Sequence, residues 1–157
     1  MSIYVNNSFR IKRSASQQEL MQKMIQAKIF SQYKDILMIS AIIGYLNNRF
    51  IPIEKAASDG VLMQFFNEKD YNIIDLIAYA RKKEQNIITS DEKYEIFSTY
   101  ANGGFPILVK QLGINENQEI NTDEAKKIII KYYTLLLSKG FIDKDLDSNF
   151  IYIKEVA

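Results

Sequence analysis

Cysteine and histidine are both absent from this chain of 157 residues. Without cysteine there is no disulfide staple, no thiol nucleophile and no thiolate metal ligand. Without histidine, Ser-His and Cys-His catalysis are excluded, and so is an imidazole switch near neutral pH. Zinc loses its two best donors, since Asp and Glu alone build poor sites. Proline and glycine are scarce, at two and six residues. No stretch rich in Pro, Gly or Ser marks a linker, and no repeat or low-complexity tract is present. Long apolar runs are also missing: the longest, Ile36 to Leu46, is about half of what a membrane span requires. Met1 to Arg13 is short and polar, without the apolar region of a signal peptide. These absences predict a soluble, cytoplasmic protein with no membrane partner.

What is present is ordinary in amount. Hydrophobic residues make up 47% and charged residues 25%, the balance of a globular chain. The length suits one domain, residues 1–157, with 1–14 as an arm or strand. Abundant Ile, Asn, Lys and Tyr suit an AT-rich bacterial coding sequence. The net charge is +1 but unevenly spread. From Met1 to Lys55 eight cations face three acids, while the rest of the chain is acidic. A basic end of this kind is an electrostatic footprint for nucleic acid. Scattered surface lysines account for the same count.

Periodicity predicts a mainly α fold, a compact bundle of about five to six helices with short N- and C-terminal strands. Ile3–Val5 and Phe9–Arg13 alternate like strands. Ser16 and Glu19 have the spacing of a capping box for a first helix reaching Lys28. Ser31 is placed to cap a second helix, Gln32 to Asn48, apolar on nearly every side. Its Ser40, Ala41 and Gly44 form a small-residue strip that would let another helix approach closely. Ser58-Asp59-Gly60 reads as a turn. Asn67 caps a third helix, Glu68 to Gln85, whose Arg81, Lys82 and Lys83 suit the negative end of a helix dipole. Thr89 and Glu92 form another candidate box. Tyr100-Ala101-Asn102-Gly103-Gly104-Phe105-Pro106 reads as a helix–helix corner, because Asn-Gly-Gly closes helices and Pro opens them. Gly113 caps the next short helix, and Asn121 or Thr122 opens a last one, Asp123 to Ser138, ended by Gly140. Phe150 to Ile153 alternates like a C-terminal strand.

Chemistry is thin. Gly103-Gly104 lacks the Lys-Ser/Thr pair of a phosphate loop and follows a helix, not a strand. Asp91 with Glu95, four residues apart, could hold Mg²⁺ on one helix face, and Glu68 with Asp70 is a second acidic pair. Capping and solvated helix faces explain both better. Asp143, Asp145 and Asp147 lack the glycine and terminal glutamate of a calcium loop. No catalytic residue, metal ligand or cofactor is assigned, which leans away from an enzyme. The ten tyrosines and nine phenylalanines lie mostly at core spacing, so packing explains them better than base stacking.

The order strand, helix, turn, helix at the N-terminus resembles a ribbon–helix–helix module, in which strands of a dimer enter the DNA major groove. Alternation puts Arg10 and Lys12 on one face, with Phe9 and Ile11 on the other. The N-terminus of the second helix near Ser31 offers a phosphate site. Arg10, Lys12, Arg13, Ser31 and Lys34 are the DNA-binding candidates of this reading.

Two longer stretches carry a second resemblance. They are Phe30-Ser31-Gln32-Tyr33-Lys34-Asp35-Ile36 onward to Tyr45, followed by Pro52, and Glu95-Ile96-Phe97-Ser98-Thr99-Tyr100-Ala101-Asn102-Gly103-Gly104. Together they resemble a small bacterial family, DNA phosphorothioation system-associated protein 4. The resemblance runs from about Phe30 to Gly113. Phe105-Pro106 departs from it, where a Leu and a helix former are expected. It implies an accessory role in antiviral defence, with proteins of a DNA modification or restriction system as partners. It supplies no catalytic residue. The resulting reading is a non-enzymatic interaction protein whose contacts come from the basic N-terminal third and from the surface beside Tyr100, Asn102, Gly103 and Gly104. The alternative is a dimeric DNA-binding regulator. A carboxylate-dependent metal nuclease is the third class.

Overall fold

A computed structural model describes residues 2–117 and 119–138. The helical elements are α1 (Ala15–Gln26), α2 (Tyr33–Leu46), α3 (Glu68–Lys82), α4 (Glu92–Leu112) and α5 (Thr122–Ser138). Two short strands, β1 (Arg10–Ile11) and β2 (Val61–Leu62), and 3-10 turns at Met63–Phe65 and Gln85–Thr89 complete the described chain. The mainly helical bundle expected from periodicity is the fold observed. The predicted strand at Phe150–Ile153, the stop at Gly140 and the three alternating aspartates lie outside the described residues. Among the described residues no helix is long and apolar enough to cross a membrane.

The bundle is built around α2 and α4, the most extensively packed pair. Ile36, Leu37, Ala41 and Ile43 of α2 meet Phe97, Tyr100, Ala101, Phe105 and Leu108 of α4 in one continuous core. The small-residue strip does what its spacing predicts. A Cβ on Gly44 would overlap the Tyr100 carbonyl, and one on Gly104 would overlap the Ser40 carbonyl. The two backbones are therefore in direct contact.

That contact corrects the predicted corner. α4 runs unbroken through Asn102-Gly103-Gly104-Phe105-Pro106. The predicted corner depends on glycine's access to positive φ, which neither Gly103 nor Gly104 uses. Both remain helical, and the missing Cβ admits the α2 backbone at Gly104 and the Arg49 backbone at Gly103. Pro106 lies inside the helix, where its missing N–H leaves the Asn102 carbonyl without the usual donor. Gln17 Nε2 on α1 donates to that carbonyl at 3.2 Å. Gly113, by contrast, is the left-handed cap expected, at φ 69°.

Caps divide in the same way. Asn67 and Asp70 form a complete capping box at α3, and Asn121 Oδ1 accepts from the Glu124 N–H at 2.9 Å. The Ser16–Glu19 box does not form, because α1 already begins at Ala15 after Ser14. Ala15 N–H donates to the Lys55 carbonyl and Ala57 N–H to the Arg13 carbonyl, pinning the approach to the helix. Gln32, not Ser31, precedes α2. Thr89 ends a 3-10 turn, and it is the Ser90 hydroxyl that accepts from Glu92 N–H, at 3.1 Å. α3 stops at Lys82, short of Gln85, because Lys83 turns left-handed at φ 60°.

β1 pairs antiparallel with β2, Arg10 opposite Leu62 and Ile11 opposite Val61. The ribbon–helix–helix reading requires that strand to pair with its copy in a second chain. Its hydrogen-bonding partner here is the chain's own β2. Ile3–Val5 forms no strand.

Candidate interaction surface

The basic N-terminal residues do not form one open face. Alternation holds from Arg10 to Arg13: Arg10 and Lys12 are exposed, Ile11 and Arg13 buried. Arg13 is only 5% exposed. Its Nε donates to Gln18 Oε1, its Nη1 to the Asp59 carbonyl, and its guanidinium lies 4.7 Å from the Tyr33 ring centroid. Burial lowers its pKa, opposed by Tyr33 and Asp59. Lys34 is tied to Asp70 at 2.6 Å, and Lys12 faces Glu95 at 3.9 Å. Arg10, Arg13, Ser31 and Lys34 nevertheless line one cleft of about 640 Å³ between the strands, α1 and the start of α2. Lys12 lies outside it.

The second set of candidates is interior. Tyr100 packs edge-on against Phe50 and Tyr45, with ring centroids 4.8 and 5.6 Å apart. Arg81 stacks over Phe50 at 3.8 Å, so that cation contributes packing as well as a charge near the end of α3. Asn102 Nδ2 donates to the carbonyls of Ile51 and Pro52, at 2.9 and 3.2 Å. Arg49 Nε donates to the Gly103 carbonyl at 3.1 Å. Tyr100, Asn102, Gly103 and Gly104 thus seat the chain leaving α2 against α4. Exposed beside them are Tyr45, Arg49, Ile51, Pro52 and Pro106.

A polar network that sequence reasoning missed holds the N-terminal segment to α3 and α4. Lys93 is 1% exposed. Its ammonium donates to the Tyr4 carbonyl at 2.6 Å, the Ile88 carbonyl at 2.8 Å and Asp75 Oδ1 at 2.9 Å. Ser2 Oγ donates to the other Asp75 oxygen at 2.7 Å. Tyr4 OH and Asn6 Nδ2 both donate to Asp91, while Asn6 N–H donates to the Tyr94 hydroxyl oxygen. The Asp91 hydrogen bond raises the Tyr4 pKa, and burial raises that of Tyr94. Asp91 is thereby taken up by the N-terminal segment and Glu95 by Lys12. Glu68 begins α3, where its charge favours the helix N-terminus. Among the described residues no three acidic groups gather as a metal site would require. No local pattern signals this network: Lys93 lies among Asp91, Glu92 and Glu95, yet its carboxylate partner is Asp75, 18 residues away.

An apolar patch is also exposed. Ile3, Leu76 and Tyr79 border a groove of about 740 Å³ along the outer face of α3. Patches of this kind mark contact surfaces more often than isolated exposed side chains do.

The family profile described as DNA sulphur modification system-associated protein 4 matches residues 10–131. The chain belongs to this family. The match spans the strand pair, the α2–α4 seam and most of α5, and leaves the Ser2–Asn6 segment outside it. Neither the curated proteins nor the solved structures yield a match.

Proposed function

We propose that this chain is a non-enzymatic accessory protein of a bacterial DNA sulphur modification system, acting through protein contacts in defence against foreign DNA. Membership of the family is the observation that carries this reading. The structure supports it by what the candidate groups are engaged in. Of the carboxylates that a nuclease would need, Asp70 caps α3, Asp91 holds the N-terminal segment and Glu95 lies 3.9 Å from the Lys12 ammonium. The exposed patch of Ile3, Leu76 and Tyr79 offers a partner apolar area. The regulator alternative gains nothing from the geometry, because β1 is paired within the chain.

The test is affinity purification of a tagged full-length chain from cells expressing a DNA sulphur modification system, with nuclease-treated lysate. The expected result is stoichiometric retention of one or more proteins of that system. Retention that disappears with the DNA, together with steeply salt-dependent DNA binding by the purified chain, would replace this reading with the regulator. Mg²⁺-dependent DNA cleavage by the pure protein would overturn the non-enzymatic assignment.

A further inference from the structure

The cleft beside β1 combines a buried cation, an uncapped helix and an apolar wall. Arg13 lines it at 5% exposure, and its hydrogen-bond acceptors are an amide oxygen and a backbone carbonyl. Among the described residues it is in no ion pair. Its hydrogen bonds go only to neutral groups, and the Asp59 carboxylate attracts it from beyond ion-pair distance, so the cost of burying this charge is only partly offset. The start of α2 opens into the same cleft through Ser31, Gln32, Tyr33 and Lys34. Gln32 makes no side-chain capping bond there, so the Tyr33 and Lys34 N–H groups lack a capping side chain, while the Asp35 N–H donates to the Gln32 carbonyl. Arg10 reaches the cleft from β1, held only by a long bond of 3.4 Å to the Gly60 carbonyl. The remaining charges facing the space are Lys34, tied to Asp70, and Asp59, whose carbonyl rather than carboxylate holds Arg13. The cations Arg10, Arg13 and Lys34 thus exceed the acids Asp59 and Asp70 by one charge. Val61, Leu62 and the exposed Phe65 supply the opposite wall.

We infer that this cleft binds a phosphate ester. Its anionic group sits against Arg13, Arg10 and the α2 N-terminus, and its planar or apolar part lies against Val61, Leu62 and Phe65. Helix N-terminal N–H groups and guanidinium forks are both matched to phosphate oxygens. The apolar wall distinguishes an ester from the bare anion. A free nucleotide and the end of a nucleic-acid strand present this same chemistry. The inference rests on the cleft alone, so it stands or falls separately from the protein partner proposed above.

The experiment is an NMR titration of the full-length chain with inorganic phosphate, a nucleoside 5′-monophosphate and a short single-stranded oligonucleotide. Saturable shifts are expected at the Tyr33 and Lys34 amides, with the monophosphate about tenfold tighter than phosphate. Arg10→Gln should weaken binding by about tenfold. Its thermal unfolding should match that of the parent, since Arg10 is exposed. Oligonucleotide binding that the monophosphate displaces assigns the site to a strand end, and monophosphate binding alone assigns it to the free ligand. Shifts that avoid Tyr33 and Lys34, shifts indifferent to Arg10→Gln, or no shifts at millimolar ligand would each overturn the inference.

Discussion

Single atoms decide how closely the two central helices meet. Gly104 has a Ser40 carbonyl where its Cβ would be, and backbone cannot turn aside as a side-chain tip can. Gly104→Ala should therefore cost about 3 kcal/mol, at the upper end of overpacking effects. Gly113 has open space around it and a φ of 69°, so Gly113→Ala should cost only about 1 kcal/mol, from backbone conformation alone. Denaturant midpoints of the two variants measure the contrast, and equal losses would refute the close-packing account. Lys93 makes a different demand. Its ammonium satisfies two carbonyls and a carboxylate in an almost fully buried position. Lys93→Met would keep the volume and leave Asp75 as a partly buried charge without its cation. A loss of about 3–5 kcal/mol is expected. Restoring Asp75→Asn in the same chain should recover part of it, which a double-mutant cycle reads directly.

At the scale of elements, α4 shows why a motif can be found and its conformation misread. Asn-Gly-Gly-Phe-Pro carries the usual signals for a helix end, and those signals are local. What overrides them is tertiary. α2 presents Ser40, Ala41 and Gly44 at the spacing that makes a groove, and Gly104 of α4 meets it only if the helix continues. Both halves of this seam are visible in the sequence: the strip on α2 predicts close approach of another helix, while its partner has the pattern of a turn. The cost of Pro106 is offset from a third element, since Gln17 on α1 supplies the donor that proline cannot. Gln17→Ala should accordingly destabilise the protein by about 1 kcal/mol. Pro106→Ala, which restores an N–H to the helix, should remove most of that dependence. The coupling between the two sites, measured by urea unfolding of both single variants and the double, is expected to be near 1 kcal/mol. Additive effects would show that the Gln17 contact contributes nothing.

Across the whole molecule, the existence of the helices and their amphipathic faces could be read from the sequence because they depend on neighbours three and four residues away, whereas the start of α2, the end of α3 and the continuity of α4 could not. The candidate sites could not, because they depend on pairings that no local pattern encodes. Arg13 looked like its neighbours Arg10 and Lys12, and only its burial beneath Tyr33 and Gln18 separates it from them. Ser2, Tyr4 and Asn6 lie in a stretch that reads as an arm or a strand, yet Asp75, Asp91, Lys93 and Tyr94 hold them across α3 and α4. That arrangement has a consequence in alkali. Tyr4 and Tyr94 have raised pKa values, the first through its hydrogen bond to Asp91 and the second through burial. Burial raises Tyr132 on α5 as well. In each case the folded chain retains a proton that the unfolded chain releases near the ordinary value of 10.0. Their stabilising contribution is therefore complete below that pH and is lost as the pH climbs through the folded-state values. Unfolding monitored against pH should show stability falling above pH 10, with a subset of the ten tyrosines ionising later than the rest. Tyr94→Phe should flatten the fall by removing one of the protons involved. If all tyrosines instead ionise together while the helical signal persists, the N-terminal segment is not held as described.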